Sequence, residues 1–287
     1  MTYPPQPPPF PGQGGPPPRP KTPWLWITLG VVAVLVAGGT GIVLALHYLN
    51  GDSSGAVAGD RVTTSSSTSA PPTSAPVQID GSRTPLPKRP TPLPDPTGCE
   101  YKATSDRPTS KPATKPADGN VPASGKATVT LRTGAGTIGL DLDRALAPCT
   151  VASFVSLAKQ GFYTGTSCHR LSVEGLQMLQ CGDPTGQGTG GPGYAFDDEV
   201  FPQLQYGRGI LAMANAGPGT NGSQFFMVFG DAPLPPSYTV FGSISDEGLS
   251  VLDKVAKAGI DQSKPSPAQD GSGPPVMAVQ FSEVTVG

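Results

Sequence analysis

Apolar and polar residues begin to alternate at Ala127, where ATVTLRT and TIGLDLD flank the short run GAG; this pattern predicts a β-hairpin. In CTVASFVSLAKQG the apolar positions Val151, Phe154, Val155 and Leu157 recur at helical spacing, which predicts an amphipathic helix ending at Gly161. Short strand-like runs follow at CHRLSV, LQMLQC, GILAMA, SQFFMVF and YTVFGSI, divided by Gly- and Pro-rich turns. EGLSVLDKVAKAG predicts a second helix and VMAVQFSEVTV a closing strand. The expected fold of 127–287 is mainly β: a closed eight-stranded antiparallel β-barrel capped by two α-helices.

Upstream the pattern changes twice. Trp24–Leu49 contains no Lys, Arg, Asp or Glu over 26 residues, enough to cross a bilayer core of about 30 Å as a helix. Arg19 and Lys21 precede it and no acid occurs before Asp52, so a transmembrane helix here would keep the N-terminus cytoplasmic and the barrel domain extracytoplasmic. The expectation is a single-pass protein of the cell membrane. A cleaved signal peptide is the alternative, with Ala56-Val57-Ala58 as the processing site, but the apolar stretch exceeds the usual 7–15 residues.

On either side of that stretch the composition opposes folding. Ten of the first 20 residues are Pro, and 13 more lie between Ala70 and Pro122. Such sequence buries too little apolar surface to offset chain entropy, which predicts a disordered tail over 1–23 and a Ser/Thr/Pro-rich tether over 50–126. The tail suits an aromatic-groove partner in the cytoplasm.

Charge and cysteine use narrow the chemistry. Residues 127–287 hold 8 Lys+Arg and 14 Asp+Glu, a balance that argues against nucleic acid as a partner. Cys99, Cys149, Cys168 and Cys181 allow three disulfide pairings; the reading leans to Cys99 with Cys149 and Cys168 with Cys181, buried thiols being the alternative. No CxxC spacing occurs and 127–287 contains one histidine, His169, so zinc and redox sites are poorly supported and no cofactor is expected. No GxSxG presents a nucleophile, and GDPTGQGTGGPG lacks both the Lys-Ser/Thr ending and the following helix of a phosphate cradle.

What remains is a surface of apolar groups and amides with one cation. Side chains two apart on a strand share a face, so Gln224 and Phe226 point one way and Phe225 the other, while Met178 pairs with Gln180. With Arg170 nearby, convergence of these faces would shape a shallow cup for a proline ring and its carbonyls. HR at 169–170, LQCGDPTGQGTGGPGYAFDDE at 179–199 and GILAMANAGPGTNGSQFFMVF at 209–229 resemble the signature of cyclophilin-type peptidyl-prolyl isomerases. The likeness spans about 127–287 and implies action on proline-containing polypeptides; with the apolar stretch at 24–49 the expectation is a membrane-anchored bacterial form working outside the cytoplasm. The likeness also implies the eight-stranded barrel.

By that resemblance Arg170 is the catalytic arginine. His169, Met178, Gln180, Ala214, Asn215, Gln224, Phe226, Leu234 and Tyr238 are substrate-binding positions. The implied mechanism needs no metal or covalent intermediate: the arginine favours a prolyl nitrogen that has lost amide resonance. Gln177 stands where the family usually has an aromatic, which bears on the depth of the cup. The turn LSVEG is longer than the common form, and Pro233 and Tyr238 imply weak affinity for cyclosporin-like inhibitors. The competing expectation is a module that binds Pro-containing segments without turnover.

Overall fold

The structure, a computed structural model, describes residues 77–105, 111, 113–264 and 270–287. Three short strands come first: β1 (Thr97–Cys99), β2 (Lys102–Ala103) and β3 (Gly119–Val121). The hairpin consists of β4 (Lys126–Thr133) and β5 (Gly136–Asp143), in register from Lys126 opposite Asp143 to Thr133 opposite Gly136. Helix α1 (Pro148–Lys159) is followed by β6 (Arg170–Ser172), β7 (Met178–Cys181), β8 (Tyr194–Ala195), β9 (Ile210–Met213), β10 (Phe225–Val228) and β11 (Val240–Ile244). Helix α2 (Asp246–Ala258) and β12 (Phe281–Val286) complete the order.

Both helices start for identifiable reasons. Ser245 accepts a hydrogen bond from Gly248 N–H at 3.0 Å, and Asp246 and Glu247 complement the positive end of α2. Helix α1 begins with Pro148 but has no capping side chain of its own. Its free N–H groups at Cys149 and Thr150 donate instead to the carboxylate of Glu199, at 3.0 and 2.8 Å, from 50 residues along the chain.

Eight strands form one antiparallel sheet in the order β12-β4-β5-β11-β9-β10-β7-β6. The closed barrel expected from the sequence is not what forms: the sheet curls through 220° and leaves its edges 14 Å apart, an open half-barrel capped by two helices. The cause lies at β6, which is three residues long and whose outer side is taken by a bridge between Leu171 and Gly273. Strand β12 therefore has no ladder to join there; the segment before β6 meets it through the isolated Ser167–Gln280 bridge and a bond from Gly165 N–H to Phe281 O. The concave side is filled by fully buried Leu131, Ile138, Phe154, Phe225 and Phe281.

The membrane-anchored form also needs correction. Among the described residues no helix is long and apolar enough to cross a membrane. Helices α1 and α2, of 12 and 13 residues, extend only about 18–20 Å against a hydrocarbon core of about 30 Å. The span expected at 24–49 lies outside the described residues, as do the tail at 1–23 and the tether as far as 76. No described residue supports the single-pass topology, the cell-membrane localisation or the membrane partner expected from the sequence.

The stretch from 77 to 105, read from sequence as tether, lies on the domain as a strap. Arg83 donates to Asp246 and to Ile244 O, and Arg89 to Leu146 O and Glu199 O, its guanidinium resting 5.0 Å over the Phe201 ring. Tyr101 is buried edge-on to Tyr194 and Phe196 and donates its hydroxyl to Cys149 O. Short apolar side chains between prolines fold here because the domain supplies their partners, which composition alone does not reveal. Disulfides join Cys99 to Cys149 and Cys168 to Cys181. The first ties the strap to α1; the second ties the approach to β6 to the end of β7.

Candidate active site

The sheet register aligns the candidate residues. Arg170 on β6 lies opposite Gln180 on β7, which lies opposite Phe226 on β10, which lies opposite Ala212 on β9. Directly opposed residues present their side chains to one face, so a cation, an amide and an aromatic ring line up across three strands. Met178 joins Gln180 by the period of two. Phe225 points the other way, into the core, with Phe154, Tyr163 and Phe281 at 5.1, 5.7 and 6.3 Å between ring centres. The adjacent phenylalanines thus divide between the core and the cavity wall, both of them buried.

Above this row is a cavity of about 190 Å³. Met178, Phe226, Leu234 and Leu176 form its apolar wall, and Arg170, Gln180 and Asn215 bring polar groups to its rim, with Ala214 and Tyr238 completing it. The Tyr238 ring meets Phe226 edge-on at 5.7 Å. Its backbone is clamped by Tyr206, whose hydroxyl donates to Tyr238 O at 2.8 Å and accepts from Tyr238 N–H at 3.0 Å. Burial pushes the Tyr206 hydroxyl up to about 12, so it stays protonated as that donor requires.

A chain of amides fixes the polar side. The Arg170 guanidinium donates to Gln180 Oε1 at 3.0 Å, Gln180 Nε2 to Gln224 Oε1 at 2.9 Å, and Gln224 Nε2 to the carbonyls of Gly188 and Gly190. Each step dictates which end of the amide faces which way. Arg170 also donates to Ser272 Oγ at 2.8 Å and Asp270 Oδ2 at 2.5 Å. Burial acts to raise the Asp270 carboxyl, but hydrogen bonds from Ser272 and Arg170 outweigh it and bring it to about 2.

The glycine-rich stretch after β7 supports this chain of amides. It wraps around the buried Asp183, which accepts from Thr185 N–H and hydroxyl and from Gly188 N–H. A side chain at Gly190 would start 2.1 Å from Asp183 Oδ1, and one at Gly182, where φ is 85°, would start 2.3 Å from Ser223 O. Only glycine permits both approaches. Burial acts to raise the Asp183 carboxyl, and the Thr185 hydrogen bonds, with a smaller contribution from Gly190, bring it below its ordinary value.

Residues 128–272, about half of the chain, match the model of the cyclophilin type peptidyl-prolyl cis-trans isomerase family. The chain belongs to that family. A probable peptidyl-prolyl cis-trans isomerase B of Mycobacterium tuberculosis is 52% identical over 177 residues, covering 56% of this chain and 57% of that protein. The chain thus matches little more than half the length of that relative. Peptidyl-prolyl cis-trans isomerase A of the same organism is 42% identical over 56% of this chain and 92% of its own length. A crystal structure of a Cryptosporidium parvum cyclophilin type peptidyl-prolyl cis-trans isomerase, 32% identical, covers 57% of this chain and 98% of that one with a TM-score of 0.49.

Within this cyclophilin domain the sequence-predicted residues do not all meet. Arg170, Met178, Gln180, Ala214, Asn215, Phe226, Leu234 and Tyr238 share the cavity. Gln224 faces an adjoining hollow of about 270 Å³ that it shares with Gln180, Gly188 and Asn215. Asn215 is itself held, donating to Ser237 O at 2.9 Å. His169 turns away altogether, toward a separate hollow beside Pro274, Pro275 and Lys264. It is buried, and among the described residues neither ring nitrogen has a hydrogen-bond partner. Burial lowers its pKa, with Asp183 opposing and Arg170 adding to the shift.

Four residues at the site escaped the sequence reading: Leu176, Tyr206, Asp270 and Ser272. The signal for Leu176 was present in the lengthened turn. Gln177 rotates out of the cavity, donating to Gln78 O and Val173 O and accepting from Asp231 N–H, and Leu176 supplies the wall in its place. The others arrive from distant turns and carry no local pattern.

Proposed function

We propose that this chain catalyses cis–trans isomerisation of X-Pro bonds in polypeptides, with Arg170 as the catalytic residue. The observation that carries this is the cross-strand row of Arg170, Gln180 and Phe226 under an apolar cavity. Family membership supports the same reaction. The isomerase unit is 127–287, braced by the strap ahead of it.

Rotation about an X-Pro bond meets a barrier of about 18–20 kcal/mol because amide resonance must be broken, and uncatalysed exchange takes tens to hundreds of seconds. Phe226, Met178, Leu234 and Leu176 hold the pyrrolidine ring while the chain on the other side of the bond turns. Three of the guanidinium contacts are already made, to Gln180, Ser272 and Asp270, so its direction is set before substrate enters. A donor so placed stabilises the nitrogen lone pair that appears only when the amide twists. Such binding accelerates the reaction because it is stronger in the twisted state than in either planar one. The role of binding without turnover rested on Gln177 leaving the cup shallow; with Leu176 in the wall, that support is gone.

The test is cis–trans exchange of a proline peptide followed by NMR, with and without Arg170→Ala. Loss of a preorganised donor predicts a fall in kcat/KM of about 100-fold or more. An unchanged rate in the variant, or no acceleration by the parent protein, would overturn the assignment.

A further inference from the structure

We propose that Asp270 and Ser272 are positioning residues for isomerisation, acting through Arg170. The inference rests on the catalytic reading of Arg170 and names what holds that side chain. Backbone geometry brings the pair into place: Leu171 N–H donates to Gly273 O at 2.7 Å and Gly273 N–H to Leu171 O at 2.9 Å. Across that antiparallel bridge Arg170 and Ser272 are diagonal neighbours on one face, a spacing that the long arginine side chain spans to reach the serine hydroxyl. Ser272 is 2% exposed, so its hydroxyl has little access to water.

The hydrogen bonds close a ring. Arg170 Nε–H donates to Ser272 Oγ, whose own proton goes to Asp270 Oδ1, while Asp270 Oδ2 accepts from Arg170 Nη2. Asp270 Oδ1 also takes Ser272 N–H at 3.0 Å, which fixes the carboxylate relative to the backbone. Every proton in the ring has one acceptor, and each member restrains the next. On the opposite side Gln180 takes the Nη1 proton. The guanidinium is thereby held at its Nε, Nη1 and Nη2 corners by a strand partner and by a segment 100 residues away. Arginine otherwise loses much rotamer freedom when it engages a ligand; here that ordering is complete beforehand, as preorganised catalysis requires. The Asp270 side chain is 43% exposed and that of Arg170 23%, so the pair lies at the mouth of the cavity and not in the core.

The experiment uses the full chain and three variants, Asp270→Ala, Asp270→Asn and Ser272→Ala, beside Arg170→Ala. Exchange of a proline peptide gives kcat and KM, heteronuclear NMR follows the Arg170 Nε–H resonance, and thermal melting monitors the fold. The expected result for Asp270→Ala is a fall in kcat of about tenfold with KM little changed, a broadened or lost Arg170 Nε–H signal, and an unaltered fold. Ser272→Ala should fall in the same direction, and Asp270→Asn should retain part of the rate because an amide oxygen still accepts from Nη2. Unchanged kcat in Asp270→Ala and Ser272→Ala, with Arg170→Ala inactive, would overturn the positioning role alone. A rise in kcat would overturn it as well, since the carboxylate would then be a brake on the guanidinium. An active Arg170→Ala variant would remove the catalytic reading and this inference together.

Discussion

Phe225 and Phe226 differ by one position and by everything that surrounds them. Phe225 is fully buried among Phe154, Tyr163 and Phe281, while Phe226 meets Tyr238 and forms the floor of the cavity. Truncating the first leaves a void with aromatic walls, and Phe225→Ala should cost about 3–5 kcal/mol in denaturant unfolding. Phe226→Ala should lower kcat/KM for proline peptides by at least as large a factor as Leu234→Ala. This division was legible in the sequence because a strand alternates its faces with period two. The same rule grouped Met178 with Gln180. It could not reach Leu176, which lies in a turn where no period applies. Nor could it separate His169 from Arg170 in function, since alternation sends neighbours to opposite faces without saying which face holds the cavity.

At the scale of elements, the hairpin, both helices and the central strands followed from periodicity, and the strap did not. Its proline spacing and short apolar residues give no repeat, and its order comes from partners far away: Tyr101 on Tyr194 and Phe196, Arg83 on Asp246, Arg89 on Glu199 O. The Cys99–Cys149 disulfide closes a loop of 50 residues across this region. Constraint of the unfolded chain by such a loop contributes up to about 4 kcal/mol. The double variant Cys99→Ser/Cys149→Ser should therefore unfold at markedly lower denaturant, while its cis–trans exchange at low temperature stays near that of the parent, because neither cysteine touches the cavity. The edge of the sheet was the other feature hidden from sequence. Strand count suggested closure, but whether a three-residue strand meets β12 or the 273 segment depends on contacts that no local pattern encodes.

For the molecule as a whole, buried and paired titratable groups set how stability depends on pH. His169 has a pKa depressed below its ordinary 6.5, chiefly by burial. A depressed group contributes stability that is present above the unfolded pKa and is lost as pH falls through the folded one. The melting temperature should therefore begin to decline as pH falls below about 6.5. Asp183 and Asp270 are also depressed, so their contribution is present above 3.8 and is lost as pH falls through the folded values, about 2 for Asp270. Glu199, raised by burial, has the opposite sign: its contribution is full below 4.5 and diminishes as pH rises through the folded value. Thermal melts from pH 8 to pH 2 should show two declines, and His169→Phe should remove the upper one, since an apolar ring carries no proton to gain.

The bond between Cys99 and Cys149 has one more consequence. Because it joins the strap to the first turn of α1, a single backbone scission anywhere from 100 to 148 severs the polypeptide without parting its halves. The N-terminal piece stays leashed to the piece that carries the cavity until a reductant arrives, so nicking and shedding are separate events for this protein.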